Sequence, residues 1–269
     1  MPRVFENWKD NVAIFNEDAA ICWKAAQQKD LEKIRSENSE DVLTWQVFRT
    51  LEEHQMVSKW AAECLGIDDE FTVYYWQRQY NESVIDPMVD SCLARVEPIH
   101  REHNRQHTET DLILRGRRKL IMVEVKLGYK DRPITGWQQA QNSPIMPSYA
   151  GPARLLMTAP DDWKATLGRF AQLYKNLILG GCLKDKWSRD GAALELGLLA
   201  IVNGATVERL PDGTSRGYLD EFLCFRDSCT LDQRRLHIVT WQELATWICR
   251  QERPELQFIH ERLRSHPLL

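Results

Sequence analysis

Two apolar runs, Asp111-Leu-Ile-Leu114 and Leu120-Ile-Met-Val-Glu-Val125, flank a basic turn in TETDLILRGRRKLIMVEVKLG, Thr108 to Gly128. β-Branched and long apolar residues on both sides of a glycine-containing turn predict a β-hairpin. The second run is apolar on both faces, which places it in the middle of a sheet covered on both sides. Few chain folds can accommodate that strand, and fewer still while it carries Glu124 and Lys126.

Side chains alternate along a strand, so the pairing register decides which acids meet. With the turn centred between Gly116 and Arg117, Asp111 lies opposite Met122, and Asp111, Met122, Glu124 and Lys126 share a face. Asp111 and Glu124 are then diagonal neighbours, with Glu109 directly opposite Glu124. A one-residue slip would turn Asp111 to the other face. Buried like charges are costly and persist where a cation compensates them. Two carboxylates with a backbone carbonyl and waters suit Mg²⁺.

The rest of the chain frames this hairpin. Ser39 to Gly66 reads as a helix, with Ser39 as N-cap, Leu43, Val47, Phe48 and Leu51 on one stripe, and Gly66 to end it. Residues 5–35 also have a helical pattern, giving an N-terminal helical extension over 1–38 and one compact unit over 39–269. Phe71 to Trp76 reads as a strand. A proline-punctuated loop is expected over Asp131–Pro152, then a helix over Asp161–Leu183. A strand over Leu194–Asn203, a polar loop, a strand over Leu236–Thr240 and terminal helices complete an α/β chain of 269 residues. The expected fold is a mixed central sheet flanked by helices, with helical additions at both ends.

A net charge of −4 argues against nonspecific coating of nucleic acid, though not against a local basic cleft. The first residues lack the apolar core of a signal peptide, and nowhere do eighteen apolar residues run together. A cytoplasmic location without membrane contact is therefore expected. Seven scattered cysteines with no C-x-x-C pair are expected to be reduced and mostly buried.

Asp111 followed by Glu124-Val125-Lys126 at the end of the next strand resembles the PD-(D/E)XK nuclease superfamily, the restriction-endonuclease-like fold. The first motif stands here as Thr110-Asp111 where the family commonly has Pro-Asp. Glu40 matches the acid that a preceding helix often supplies, and Gln172 in FAQLYKN resembles a recurrent glutamine of the following helix. The resemblance spans Ser39 to Asn203 in element order. It implies phosphodiester hydrolysis of nucleic acid, DNA favoured, by metal-activated water. Asp111, Glu124 and the Val125 carbonyl would hold Mg²⁺ or Mn²⁺, with Lys126 assisting the nucleophile. Glu40 and Gln172 would orient the site.

Each feature has a plainer reading. Glu40 also fits as a first-turn acid favouring the helix dipole, and Gln172 lies on a polar stripe with Arg169 and Asn176 that suits a solvated face. The Arg115–Lys119 turn could touch phosphates or simply be solvated. His100, His103 and His107 lack a ligand framework and suit an exposed loop. Among the ten tryptophans Trp137 is the best placed to stack on a base, most of the others being expected in the core. The rival to an active nuclease is a nuclease-like domain that no longer cuts and binds protein or nucleic acid. A third reading is an unrelated α/β enzyme with an accidental motif. A homodimer, or membership of a defence or repair complex, is compatible with the family resemblance.

Overall fold

The computed structural model describes residues 39–97, 110–127, 146–188, 193–205, 207–209 and 215–265. The N-terminal extension over 1–38, Glu109, the three histidines 100, 103 and 107, and Trp137 lie outside the described residues.

The chain opens on helix α1, Glu40–Glu53. The Ser39 hydroxyl accepts from the Val42 N–H, and Glu40 and Asp41 occupy the first turn, where acids favour the helix dipole. The single helix expected up to Gly66 is interrupted at Gln55, whose φ is 56°. A short helix α2, Val57–Trp60, then passes into a π-helical turn, Ala61–Leu65, which Gly66 ends at φ 68°. Strand β1 covers Thr72–Tyr75. Helix α3, Pro87–Val96, was not anticipated, although Asp86 as N-cap before a first-turn proline is a start signal.

The hairpin strands are β2, Leu112–Arg115, and β3, Lys119–Lys126. Within the expected loop over Asp131–Pro152, Met146–Arg154 forms helix α4 and contains Pro152. The expected helix over Asp161–Leu183 is two helices, α5, Trp163–Arg169, and α6, Ala171–Trp187, meeting at Phe170. Strand β4 spans Glu195–Val202. The segment expected as a polar loop holds a two-stranded ribbon, β5 (Val207–Arg209) and β6 (Ser215–Gly217), and helix α7, Tyr218–Ser228. Strand β7, Leu236–Thr240, and helices α8, Trp241–Arg250, and α9, Gln257–Ser265, follow.

The five-stranded sheet has the order β1-β2-β3-β4-β7. β1, β2 and β3 run antiparallel, whereas β3, β4 and β7 run parallel, so the fold is α/β with a mixed sheet flanked by helices. β3 is the middle strand, as its two-sided apolar pattern requires. Ile121, Val123 and Val125 face a core built with Phe48, Trp241, Leu244 and Ile259, from α1, α8 and α9. Leu120 and Met122 face the other core, built with Tyr174, Leu177 and Phe222 from α6 and α7. Gly180 lets α6 lie close on the sheet, because a Cβ there would come within 2.7 Å of Met122 and 2.6 Å of Leu196. That close approach brings the face of α6 against the strand bearing Glu124.

Trp45, Trp60, Trp76 and Trp241 are fully buried, in line with a packing role for most of the tryptophans. The six described cysteines are free, but Cys64, Cys224 and Cys249 are exposed, so burial holds for only half of them. Among the described residues no helix is long and apolar enough to cross a membrane.

Candidate active site

The acids meet through a different register from the expected one. Ile113 pairs with Met122 and Arg115 with Leu120, so the register extended by one residue sets Asp111 opposite Glu124. The expected pairing of Asp111 with Met122 is therefore off by two residues. An even shift keeps every side chain on its face, so Asp111 and Glu124 become direct neighbours instead of diagonal ones. Asp111 sits just before β2, its carbonyl accepting from Trp76 N–H at 3.2 Å and its Oδ2 from Val125 N–H at 2.7 Å.

Glu124 is 3% exposed and is held at both oxygens. Lys126 Nζ lies 2.7 Å from Oε1, and Asn176 Nδ2 donates to Oε2 at 2.8 Å. The Asn176 carbonyl oxygen in turn accepts from the Thr110 hydroxyl at 2.9 Å. Thr110 and Asn176 are both fully buried. The hydroxyl that orients Asn176 thus comes from the residue just before Asp111, where a proline could not supply it. Asn176, not anticipated as a site residue, was visible only as a polar member of the helix stripe.

Glu40 enters from α1, on the opposite face of the sheet. Its Oε2 accepts from Leu127 N–H at 2.6 Å, and its Oε1 lies 3.4 Å from Lys126 Nζ. Its first-turn position is thus joined to the site as well as to the helix end. Gln172 lies half-buried one turn before Asn176 on the same face of α6.

Three carboxylates therefore share one ammonium. Burial, followed by repulsion from Glu124, holds the Asp111 carboxyl well above the usual range, with Glu40 adding to the rise and Lys126 opposing it. Burial also raises Glu40, against the pull of Lys126 and the Leu127 N–H. For Lys126 burial favours the neutral amine, but Glu124, Glu40 and Asp111 outweigh it and push the pKa well up. The ammonium is kept charged and sits where the negative charge is densest.

Among the described residues no group of three or more His, Cys, Asp or Glu side chains is placed to hold a metal ion. Asp111 and Glu124 nonetheless offer hard oxygens beside the Val125 carbonyl, and their excess negative charge fits a divalent ion that keeps part of its water shell. Lys126 Nζ now donates to the Val125 carbonyl at 2.7 Å as well as contacting Glu124. An ion on those oxygens would share them with the Lys126 ammonium, which also lies 3.4 Å from Glu40 Oε1. A mostly apolar recess of about 10 Å³, room for roughly one water, lies beside Glu124 and Lys126 between Leu173, Val202 and Phe222.

The basic turn is at the other end of β3, roughly 23 Å away at 3.3 Å per residue. Its cations are engaged locally: Arg117 meets Glu70 at 2.6 Å, Lys119 meets Glu195 at 2.7 Å, and Arg118 donates to the Asp68 carbonyl. Arg115 lies over the Trp187 ring. It is a structural turn and takes no part in this cluster. No family model, curated protein or solved structure matches the chain.

Proposed function

We propose that the chain is a metal-dependent nuclease of the PD-(D/E)XK type that hydrolyses phosphodiester bonds, with DNA the favoured substrate. The observation that carries this reading is the convergence of Asp111, Glu124, Lys126 and Glu40 at the end of the central strand, with more acid than base. Asp111, Glu124 and the Val125 carbonyl would hold Mg²⁺ or Mn²⁺. Such an ion supplies an activated water and neutralises charge at the phosphate.

The protein's own groups do the remaining work. Asn176 and Thr110 fix the plane of the Glu124 carboxylate, so its oxygens are oriented before substrate arrives. Glu40 holds Lys126 charged and at the strand end, where the ammonium can donate to the attacking water or to the phosphate oxygens as negative charge develops.

The contact of Lys126 with Glu124 and the Val125 carbonyl favours the second reading, a nuclease-like domain in which the ammonium occupies oxygens that an ion would need and which only binds protein or nucleic acid. Purified protein incubated with plasmid DNA, single-stranded DNA and RNA in Mg²⁺ or Mn²⁺, beside EDTA, Glu124→Ala and Lys126→Ala, separates the two. Metal-dependent cutting that both substitutions abolish is expected. Folded wild type that binds nucleic acid but cuts none of the substrates in either metal would establish the binding module instead.

A further inference from the structure

Strand β1 ends in a turn that its own residues disfavour. Tyr75 and Arg78 exchange backbone hydrogen bonds at 2.7 and 2.9 Å, so Trp76 and Gln77 are the two central residues of a tight hairpin. Their φ angles are 46° and 71°. Positive φ at both central positions is the type I′ pattern, which ordinarily takes Asn-Gly or Asp-Gly. A tryptophan there is an outlier, because a bulky side chain crowds the backbone in the left-handed region. Such strain persists only where the surroundings over-determine it, and it gathers at functional sites.

The surroundings of this turn lead to Asp111. Trp76 N–H donates to the Asp111 carbonyl at 3.2 Å, one step beyond the last paired residues of the two strands, Tyr75 and Leu112. That bond carries the ladder to the residue that bears the carboxylate. The Trp76 ring, 2% exposed, stacks on Trp45 of α1 with centroids 5.9 Å apart and planes 12° apart. Helix α1 also supplies Glu40 to the cluster. The carbonyls of the turn are tied as well: Arg78 Nη1 donates to that of Trp76 at 2.8 Å, and Asp86 N–H to that of Gln77 at 3.0 Å. Asn-Gly would reverse the chain with less strain, but neither residue has a ring to lay on Trp45. Residues that break a local rule in this way are expected at functional sites.

We propose that Trp76 is a positioning residue for the metal site; this rests on the nuclease reading above. Its left-handed backbone and its stack on Trp45 fix the start of β2, so the Asp111 carboxylate is held against Val125 N–H beside Glu124 before an ion arrives. Trp76 acts through the Asp111 main chain, as the supporting residues of a metal site act through its ligands.

Calorimetric titration with Mn²⁺, plasmid cleavage and thermal unfolding test it in wild type, Trp76→Leu, Trp76→Phe, Gln77→Gly and Gln77→Ala. Trp76→Leu keeps apolar bulk but loses the stack, and is expected to weaken Mn²⁺ binding about tenfold and to lower kcat about tenfold, with KM for DNA little changed. A residue that only packs would lower Tm and leave those quantities unmoved. Trp76→Phe keeps a ring on Trp45 and is expected to restore most of the affinity and of kcat. Glycine accepts a left-handed φ and alanine does not, so Gln77→Gly should melt about 2 °C above Gln77→Ala. Wild-type Mn²⁺ affinity and kcat in folded Trp76→Leu would overturn the proposal and leave the nuclease reading intact. Should Trp76→Leu not fold, the Gln77 pair decides: equal Tm values mean that the turn holds no strain, and the proposal fails. If wild type neither binds Mn²⁺ nor cuts, the nuclease reading fails and this inference falls with it.

Discussion

Asn176 donates to Glu124 Oε2 at 2.8 Å, so the acid at the centre of the site is oriented from a packed helix as well as by Lys126 of its own strand. Replacing Asn176 by Ala leaves a carboxylate oxygen that is almost wholly buried without its donor, a loss of about 1–3 kcal/mol. Urea unfolding should show that loss. Thr110 reaches Glu124 only through Asn176, so Thr110→Val and Asn176→Ala together should cost clearly less than the sum of the two. Strict additivity would mean the three side chains do not act as one chain.

Asp111 opposes folding at neutral pH. Burial and the nearby Glu124 raise its carboxyl well above the usual range. A raised folded-state pKa contributes stability that is complete below the unfolded value, about 3.9 for aspartate, and is lost as pH rises through the folded one. Asp111→Asn should therefore stabilise the fold by about 1–2 kcal/mol at pH 8, with the gain shrinking toward pH 4, while cleavage is abolished. Tm values of the two proteins at both pH values check the sign, and equal Tm at pH 8 would count against a buried, ionised Asp111.

A divalent ion bound by the folded chain stabilises it by mass action. Mg²⁺ at about a hundred times its Kd should add about 2.7 kcal/mol, seen as a rising Tm in a Mg²⁺ titration. Glu124→Gln and Asp111→Asn should each blunt the rise. A Tm that ignores Mg²⁺, Mn²⁺ and Ca²⁺ alike would remove the proposed metal site.

Lys126→Met leaves Glu124, Glu40 and Asp111 without their ammonium. Removing one partner of a largely buried pair costs about 3 kcal/mol, and Lys126 is only 23% exposed at its side chain. Adding Glu124→Gln should recover a large part of that loss. Chemical denaturation of the two single variants and the double variant measures the coupling. No recovery would show that Lys126 stabilises through packing of its stem instead of its charge.

The hairpin, its central place in the sheet, and the meeting of Asp111, Glu124 and Lys126 were legible because period-two alternation and an apolar strand with embedded charges are local signals. The turn was not. Glycine was the natural centre for it, yet Gly116 pairs back to Lys119, and Arg117 and Arg118 make the turn without positive φ. The Asp69 carboxylate, from a segment far away in sequence, accepts from the N–H groups of Arg117, Arg118 and Lys119. A turn stabilised from outside leaves no mark in its own residues. Asn176 was obscured for a related reason: what separates it from Gln172 is the depth at which Gly180 lets α6 settle on Met122. The break at Gln55 and the helix through Pro152 likewise run against local punctuation.

The central strand is covered on one face by α1 and on the other by α6, and the cluster at its end draws Glu40 from the first and Asn176 from the second. A chain that has condensed only one of these layers carries the strand's acids without part of what restrains them. The contacts that offset the cost of burying those acids, Lys126 with Glu40 and Asn176 with Glu124, are complete only when both layers are in place. The cluster thereby acts as a cooperativity device, making the assembly of the two layers and the appearance of an ordered site a single event.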